Sequence, residues 1–170
     1  MRGHQVSSGL VYLRPRPIAF VRTTGDVDKA GPIAWQNLKS WCARMPNHAD
    51  FKVAYGLTRV KEIHEGQFHC VYEAGVEMPF AGERNGESGL GIKQLPGGAY
   101  TRRRHVGTLL DIEATMDSFR REGLEGCKFD LDRNRPTVQI FLCNPCNILD
   151  GEMKVDLLLP ISVNENAYAA

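Results

Sequence analysis

The sequence has no long apolar run and almost no net charge. No window approaches the roughly 18 apolar residues of a membrane-spanning helix, and the residues after Met1 lack the apolar centre of a signal peptide. Twenty-one Lys and Arg residues against 20 Asp and Glu residues leave a formal net charge of +1. These absences argue against a membrane protein and against nucleic-acid binding through overall charge, and they predict a cytoplasmic protein.

One short basic cluster is present, at Arg102, Arg103 and Arg104. A cluster of this length in a predicted strand is more typical of a solvated face than of a phosphate-binding site. We therefore expect these three side chains to face water.

Paired-cysteine chemistry is not indicated either. The five cysteines are an odd number spread through the chain, which favours reduced thiols over a secreted disulfide framework. Cys143 and Cys146 have the spacing of a redox pair or of half a zinc site. They follow a predicted strand instead of opening a helix, and no second pair supplies the missing zinc ligands. We expect structural cysteines, no metal and no cofactor.

The two halves of the chain carry the same order of predicted elements. An alternating strand-like segment ends at a glycine in each half, at residues 17–25 and 96–107, and a helical period follows each. The first helix is expected to begin near Gly31 and to end before Pro46, and the second to run from about Thr108 to Gly123. Two strand-like runs follow each helix, at residues 52–58 and 67–76 in the first half and at 137–143 and 154–161 in the second.

This order predicts an α+β fold made of a duplicated βαββ unit. We expect one domain over residues 9–163, with repeat 1 at about 9–79, an exposed Gly-rich connector at 80–89 and repeat 2 at about 90–163. Neither half has enough helix to cover its own sheet. The halves should therefore pair about a pseudo-twofold axis, with two helices on one antiparallel sheet and a central cleft at the seam.

Several segments resemble a known family. They are residues 95–100 (Leu-Pro-Gly-Gly-Ala-Tyr), 136–145 and 156–161, with a fainter echo at 19–25 and 73–79. In order and spacing they resemble the GyrI-like small-molecule-binding domains, which also form the effector-binding parts of BmrR- and Rob-type regulators. The resemblance extends to stand-alone members on integron cassettes that bind cationic drugs. It implies that the cleft binds lipophilic, often cationic, aromatic compounds.

The resemblance also implies site residues, with one departure from the family pattern. Gln139 stands where the family commonly has a glutamate, so a cation needs another acid. Glu73 and Asp156 match acidic family positions and are the candidates, each with a surface or turn carboxylate as the alternative. The aromatic residues of the sequence offer further candidates for the cleft wall: Trp35, Tyr55, Tyr100 and Phe141, with packing in the core or rim as the alternative for Tyr55 and Tyr100. Trp41, on the helical stripe of Ala34 and Leu38, is expected in the core, and Tyr72 in the core or rim.

Three functions follow as alternatives. The first is a non-enzymatic module that sequesters or senses a lipophilic cation, with no direct contact to nucleic acid or membrane. The second is inhibition of DNA gyrase through a protein interface, as in the family's namesake. The third is hydrolysis of a small molecule in the cleft with Glu73 or Asp156 as general base. A homodimer or a separate regulator protein is left open as a partner.

Overall fold

A computed structural model describes residues 9–64, 67–77, 90–125 and 127–163, with backbone alone at 61–64, 67 and 68. Within these residues the chain forms two α-helices, α1 (Val27–Cys42) and α2 (Ile112–Glu122), and nine strands. The strands are β1 (Gly9–Leu13), β2 (Pro17–Gly25), β3 (Ala54–His64), β4 (Gln67–Glu77), β5 (Gly91–Gln94), β6 (Gly98–Gly107), β7 (Phe129–Leu131), β8 (Thr137–Phe141) and β9 (Met153–Val163). No helix in this part of the chain is long and apolar enough to cross a membrane.

Eight of the strands form one antiparallel sheet in the order β1-β6-β9-β8-β3-β4-β2-β5, and β7 pairs with β9. At its centre β3 lies beside β8, with Gly56 opposite Gln139. The prediction of a mixed fold with two helices and a mostly antiparallel sheet is confirmed. The short strands β1, β5 and β7 were not predicted, because three to five residues are too few to show an alternating pattern. The predicted connector at 80–89 lies outside the described residues.

The sheet is buried on both faces. The larger core lies on the face that the two helices cover and includes Trp35, Leu38, Phe119, Phe141 and Leu157. A smaller core on the opposite face consists of Ile18, Tyr55, Leu57, Leu95, Tyr100, Val138 and Leu158. Because neighbouring side chains in a strand point to opposite faces, each central strand supplies both cores.

Helix α1 begins at Val27, four residues before the predicted start at Gly31. The carbonyl of Asp26 accepts hydrogen bonds from the backbone N–H groups of Lys29 and Ala30, which sets this earlier start. The predicted burial of Trp41 was wrong in degree: Trp35 is fully buried, whereas Trp41 is only partly buried against the core. Ala34 and Leu38 of the predicted stripe are fully buried together with Trp35, so the predicted stripe is in the core and Trp41 lies at its edge.

Helix α2 matches its prediction closely. A single 3-10 turn precedes it, in which the backbone N–H and the hydroxyl of Thr108 both donate to the Asp111 carboxylate, at 2.9 and 2.7 Å. The predicted stripe of Ile112, Met116 and Phe119 is buried.

The expectation that the whole basic cluster faces water was wrong for Arg103. Its side chain is 11% exposed and its guanidinium lies 4.7 Å from the centre of the Phe119 ring. Because Arg103 points to the helix-covered face of β6, α2 shields it from solvent.

Candidate functional site

A cavity of about 220 Å³ lies between the first turns of α1 and α2. The sheet beneath it contributes Tyr72 from β4 and Gln139 from β8. The two helical ends supply Val27, Asp28, Gly31, Pro32, Leu109, Leu110, Ile112 and Glu113. The cavity therefore sits over the centre of the sheet, where strands from both halves of the chain meet.

A hydrogen-bonded relay, Trp35–Tyr72–Gln139, forms the polar floor of this cavity. The indole N–H of Trp35 donates to the Tyr72 hydroxyl at 2.8 Å, and that hydroxyl donates to Oε1 of Gln139 at 2.6 Å. Burial raises the pKa of Tyr72 well above its ordinary value, so the hydroxyl keeps the proton that it donates. The relay thereby fixes the orientation of the Gln139 amide. Its Nε2 group makes no hydrogen bond within the described residues.

Close packing holds the relay in place. The Trp35 ring meets the rings of Tyr72 and Phe141 edge to face, with centroid distances of 6.3 and 4.7 Å. Beneath the Tyr72–Gln139 hydrogen bond lies Gly56 of β3. A Cβ atom there would lie 2.7 Å from Gln139 Oε1 and closer still to the Tyr72 hydroxyl. Glycine at this position is what allows the hydrogen bond to pass over β3.

Two carboxylates give the cavity a negative character. Asp28 is exposed in the first turn of α1, and Glu113 is half-buried in the first turn of α2. Burial is the main cause that raises the pKa of Glu113; Asp117 and Asp28 add to it, while Arg120 opposes it. A desolvated carboxylate beside an aromatic ring is suited to receive a positively charged organic group.

The structure separates the predicted site residues into three places. Gln139 lines the cavity, while Trp35 and Phe141 are buried behind its floor. Tyr55 and Tyr100 lie in the smaller core on the opposite face of the sheet. There the Tyr55 hydroxyl accepts a hydrogen bond from Arg16 at 3.4 Å and the Tyr100 hydroxyl donates to the Pro96 carbonyl at 3.0 Å.

Glu73 and Asp156 also lie on the opposite face, where both are buried in ion pairs. Arg22 donates to Glu73 Oε1 at 2.9 and 2.6 Å, and Lys93 contacts Oε2. Asp156 accepts from Nη2 of Arg104 at 3.1 Å. Glu73 borders a separate cavity of about 340 Å³, and neither acid lines the cavity that contains Gln139.

Sequence reasoning did not single out Glu113 and Asp28, and it assigned Tyr72 to the core or rim. For Glu113 a signal was present, since it flanks the apolar stripe of α2 at three residues before Met116. For Tyr72 the signal was its alternation with the buried residues Cys70 and Ala74 along β4. Neither pattern shows which side of the sheet the helices cover.

Comparison with known proteins gives the family. The model of the GyrI-like small molecule binding domain matches residues 9–162. The chain belongs to the GyrI-like family. Membership of this family gives the GyrI-like domain its general function, which is small-molecule binding. A search of curated proteins finds no match.

Solved structures with the same fold are distant in sequence. The C-terminal domain of EcmrR is 11% identical with a TM-score of 0.60, covering 94% of this chain and 99% of that one. SAV2435 bound to tetraphenylphosphonium is 11% identical with a TM-score of 0.59, covering 96% and 98%. A hydrolase from Listeria innocua is 14% identical with a TM-score of 0.57, covering 94% of each chain. At these identities the likeness establishes the fold of this GyrI-like domain.

The cysteines are dispersed in the fold. All five are free thiols; Cys42 and Cys70 are buried, Cys143 and Cys146 are partly buried, and Cys127 is exposed. Among the described residues no group of three or more His, Cys, Asp or Glu side chains is arranged to hold a metal ion.

Proposed function

We propose that this GyrI-like domain binds a lipophilic organic cation in the cavity between α1 and α2, with Glu113 facing the positive charge. The observation that carries the proposal is a half-buried carboxylate of raised pKa sharing one cavity with the Tyr72 ring. The tetraphenylphosphonium bound by SAV2435, a domain of the same fold, supports this class of ligand.

The energetics of such a site favour cations over neutral compounds. An aromatic ring attracts an organic cation by about 0.5 to 2 kcal/mol. The carboxylate of Glu113 carries a desolvation penalty in the free protein, and a cation beside it offsets that penalty. Gln139 Nε2, which has no partner within the described residues, supplies a donor to any carbonyl or ether oxygen of the ligand.

The cavity is small for a ligand of this class. Its volume of about 220 Å³ is below the range of about 300 to 1,000 Å³ that is common for drug-sized ligands. We expect the mouth to widen on binding, chiefly at Leu110, which is 77% exposed.

The finer architecture belongs to the same proposal: a duplicated βαββ unit with a pseudo-twofold axis between β3 and β8 and the ligand at the seam. Its support is the matching position of two ion pairs. Arg22 lies opposite Glu73 between β2 and β4, and Arg104 lies opposite Asp156 between β6 and β9. In this arrangement the domain sequesters its ligand or senses it for a partner.

Calorimetric titration with tetraphenylphosphonium and neutral triphenylphosphine oxide tests the proposal. Glu113→Gln should weaken the cation by about 1 to 3 kcal/mol and leave the neutral compound nearly unchanged, because a charge-assisted contact is lost. Glu125→Gln is the matched control, an exposed glutamate just beyond α2. Glu73→Gln and Asp156→Asn test the acids that the resemblance implied, and we expect both to bind the cation as the wild type does.

Three results would contradict the proposal. If Glu113→Gln weakens the binding of the cation and of the neutral compound equally, Glu113 does not recognise the positive charge. If Glu73→Gln weakens cation binding more than Glu113→Gln does, the binding site lies on the other face of the sheet. Turnover of an electrophilic ester that Glu113→Gln abolishes would instead make the domain a hydrolase, with Glu113 as general base.

A further inference from the structure

We propose that a second cavity, beside the C-terminal half of α2, binds an organic anion through a phosphate or carboxylate group. We call it the arginine cavity. Its volume is about 470 Å³, and it shares no lining residue with the cavity that contains Glu113. Four arginines and one acid line its described part: Arg59, Arg120, Arg133, Arg135 and Asp132.

The arginine cavity lies over the same sheet as the relay. On β3, Thr58 of this cavity comes two residues after Gly56, which lies beneath the relay. Thr58, which lines it, pairs with Thr137 of β8 on one side and with Tyr72 of β4 on the other. Arg120 faces Glu113 along α2 closely enough to oppose the rise of its pKa. The inner side of α2 is therefore acidic at its start and basic towards its end.

The acid of the cavity, Asp132, is already paired with an arginine. Asp132 Oδ2 accepts from Nε of Arg135 at 2.7 Å, and Oδ1 accepts from the backbone N–H of Asn134 at 2.9 Å. The hydrogen bond from Arg135 is the main cause that holds the pKa of Asp132 below its usual range. Arg135 also donates to three backbone carbonyls, so it is a structural residue with few donors left.

The other three arginines retain most of their donors. Arg133 makes no hydrogen bond or ion pair within the part of the chain that the structure describes, and it is exposed. Arg59 donates to one backbone carbonyl, that of Asn134, at 2.9 Å. Arg120 donates through Nη1 to Asp117 at 2.9 Å. Arg59, which follows Thr58 on β3 and also borders the cavity that contains Glu73, points to the opposite face of the sheet. Since a guanidinium carries five N–H donors in a fork that fits two oxygens, Arg120 and Arg133 are the arginines left to hold an oxyanion in this cavity.

Thr58 supplies an independent sign of a ligand. It is 4% exposed, and its buried hydroxyl has no hydrogen-bond partner among the described residues. A buried hydroxyl is rarely left unpaired, because the loss of its hydrogen bonds to water is not compensated. An oxyanion held by the arginines would accept this hydrogen bond. Val60, Leu131 and Pro160 line the same cavity and provide an apolar wall for an organic group.

Calorimetry on the full chain with phenyl phosphate, benzoate and benzyl alcohol tests the proposal. We expect saturable binding of an anion that weakens as salt is added, and no comparable binding of the neutral alcohol. Arg133→Gln and Arg120→Gln should each weaken the bound anion at least about tenfold. Arg121→Gln, an exposed arginine of α2 outside the cavity, should bind as the wild type does. Binding of phenyl phosphate alone assigns phosphates as the ligand class, and binding of benzoate alone assigns carboxylates.

A second variant distinguishes a loss of anion binding from a loss of folding. Thr58→Val keeps the shape of the side chain and removes the unpaired hydroxyl, so it should weaken the anion several-fold without lowering the melting temperature. Tetraphenylphosphonium affinity in Arg133→Gln should stay at the wild-type value, which separates the two cavities. The proposal is overturned if neither anion binds saturably, if benzyl alcohol binds as tightly as the anions, or if Arg121→Gln weakens binding as much as Arg133→Gln.

Discussion

Replacing Gly56 with alanine tests the geometry of the relay directly. The new Cβ would lie 2.7 Å from Gln139 Oε1 and closer to the Tyr72 hydroxyl, so the hydrogen bond between them must break or β3 must move. Neither ring of the relay has room to withdraw. Trp35 is fully buried against Phe141, and Gly31 of α1 lies against the Tyr72 ring.

The expected loss of stability follows from the groups left unpaired. Each buried polar group that loses its partner costs about 1 to 3 kcal/mol. The Gly56→Ala variant leaves the Tyr72 O–H without its acceptor and the Gln139 carbonyl without its donor, so we expect it to lower the free energy of unfolding by about 2 to 6 kcal/mol. Gly9→Ala is the control, because a Cβ at Gly9 meets nothing within 4 Å. It should change stability by less than about 0.5 kcal/mol.

Urea unfolding in a double-mutant cycle with Tyr72→Phe isolates the contact. Removing the Tyr72 oxygen removes the nearest of the atoms that the new Cβ meets and leaves Gln139 Oε1 without the hydrogen bond that holds it in place, so Gly56→Ala should cost at least about 1 kcal/mol less in that background. The reasoning is refuted if Gly56→Ala costs the same with and without the hydroxyl, or if it costs no more than Gly9→Ala.

Two further predictions concern titratable groups. Because burial raises the pKa of Glu113 in the folded state, wild-type stability should fall as the pH rises through that pKa, and Glu113→Gln should be the more stable protein at neutral pH. Urea unfolding over a pH series measures this, and a variant less stable than the wild type at neutral pH would contradict it. Burial raises the pKa of Cys42 to about 12 and that of Cys70 to about 11, so iodoacetamide should label exposed Cys127 well before either. Peptide mapping by mass spectrometry reads out the order, and early labelling of Cys42 would show that α1 opens readily.

The candidate site was predictable only in part. Alternation along β8 gave Gln139 and Phe141 a common face, and both do point to the helix-covered side. Alternation along β4 gave Tyr72 and Glu73 opposite faces, but the pattern is the same whichever face the helices cover. The candidate acids Glu73 and Asp156 came from the family resemblance and both lie on strands, whereas the acid beside Gln139 lies on α2.

Local sequence determined the helices, the long strands and the family, because periodicity, capping groups and turn residues act within a few residues of each other. Only the tertiary structure decided that Gly56 passes beneath the Tyr72–Gln139 hydrogen bond, that Glu73 is enclosed by Arg22 and Lys93, and that Glu113 is drawn against the sheet. Each of these depends on contacts between residues more than 15 positions apart, whose distances in space are set by the order and register of the strands.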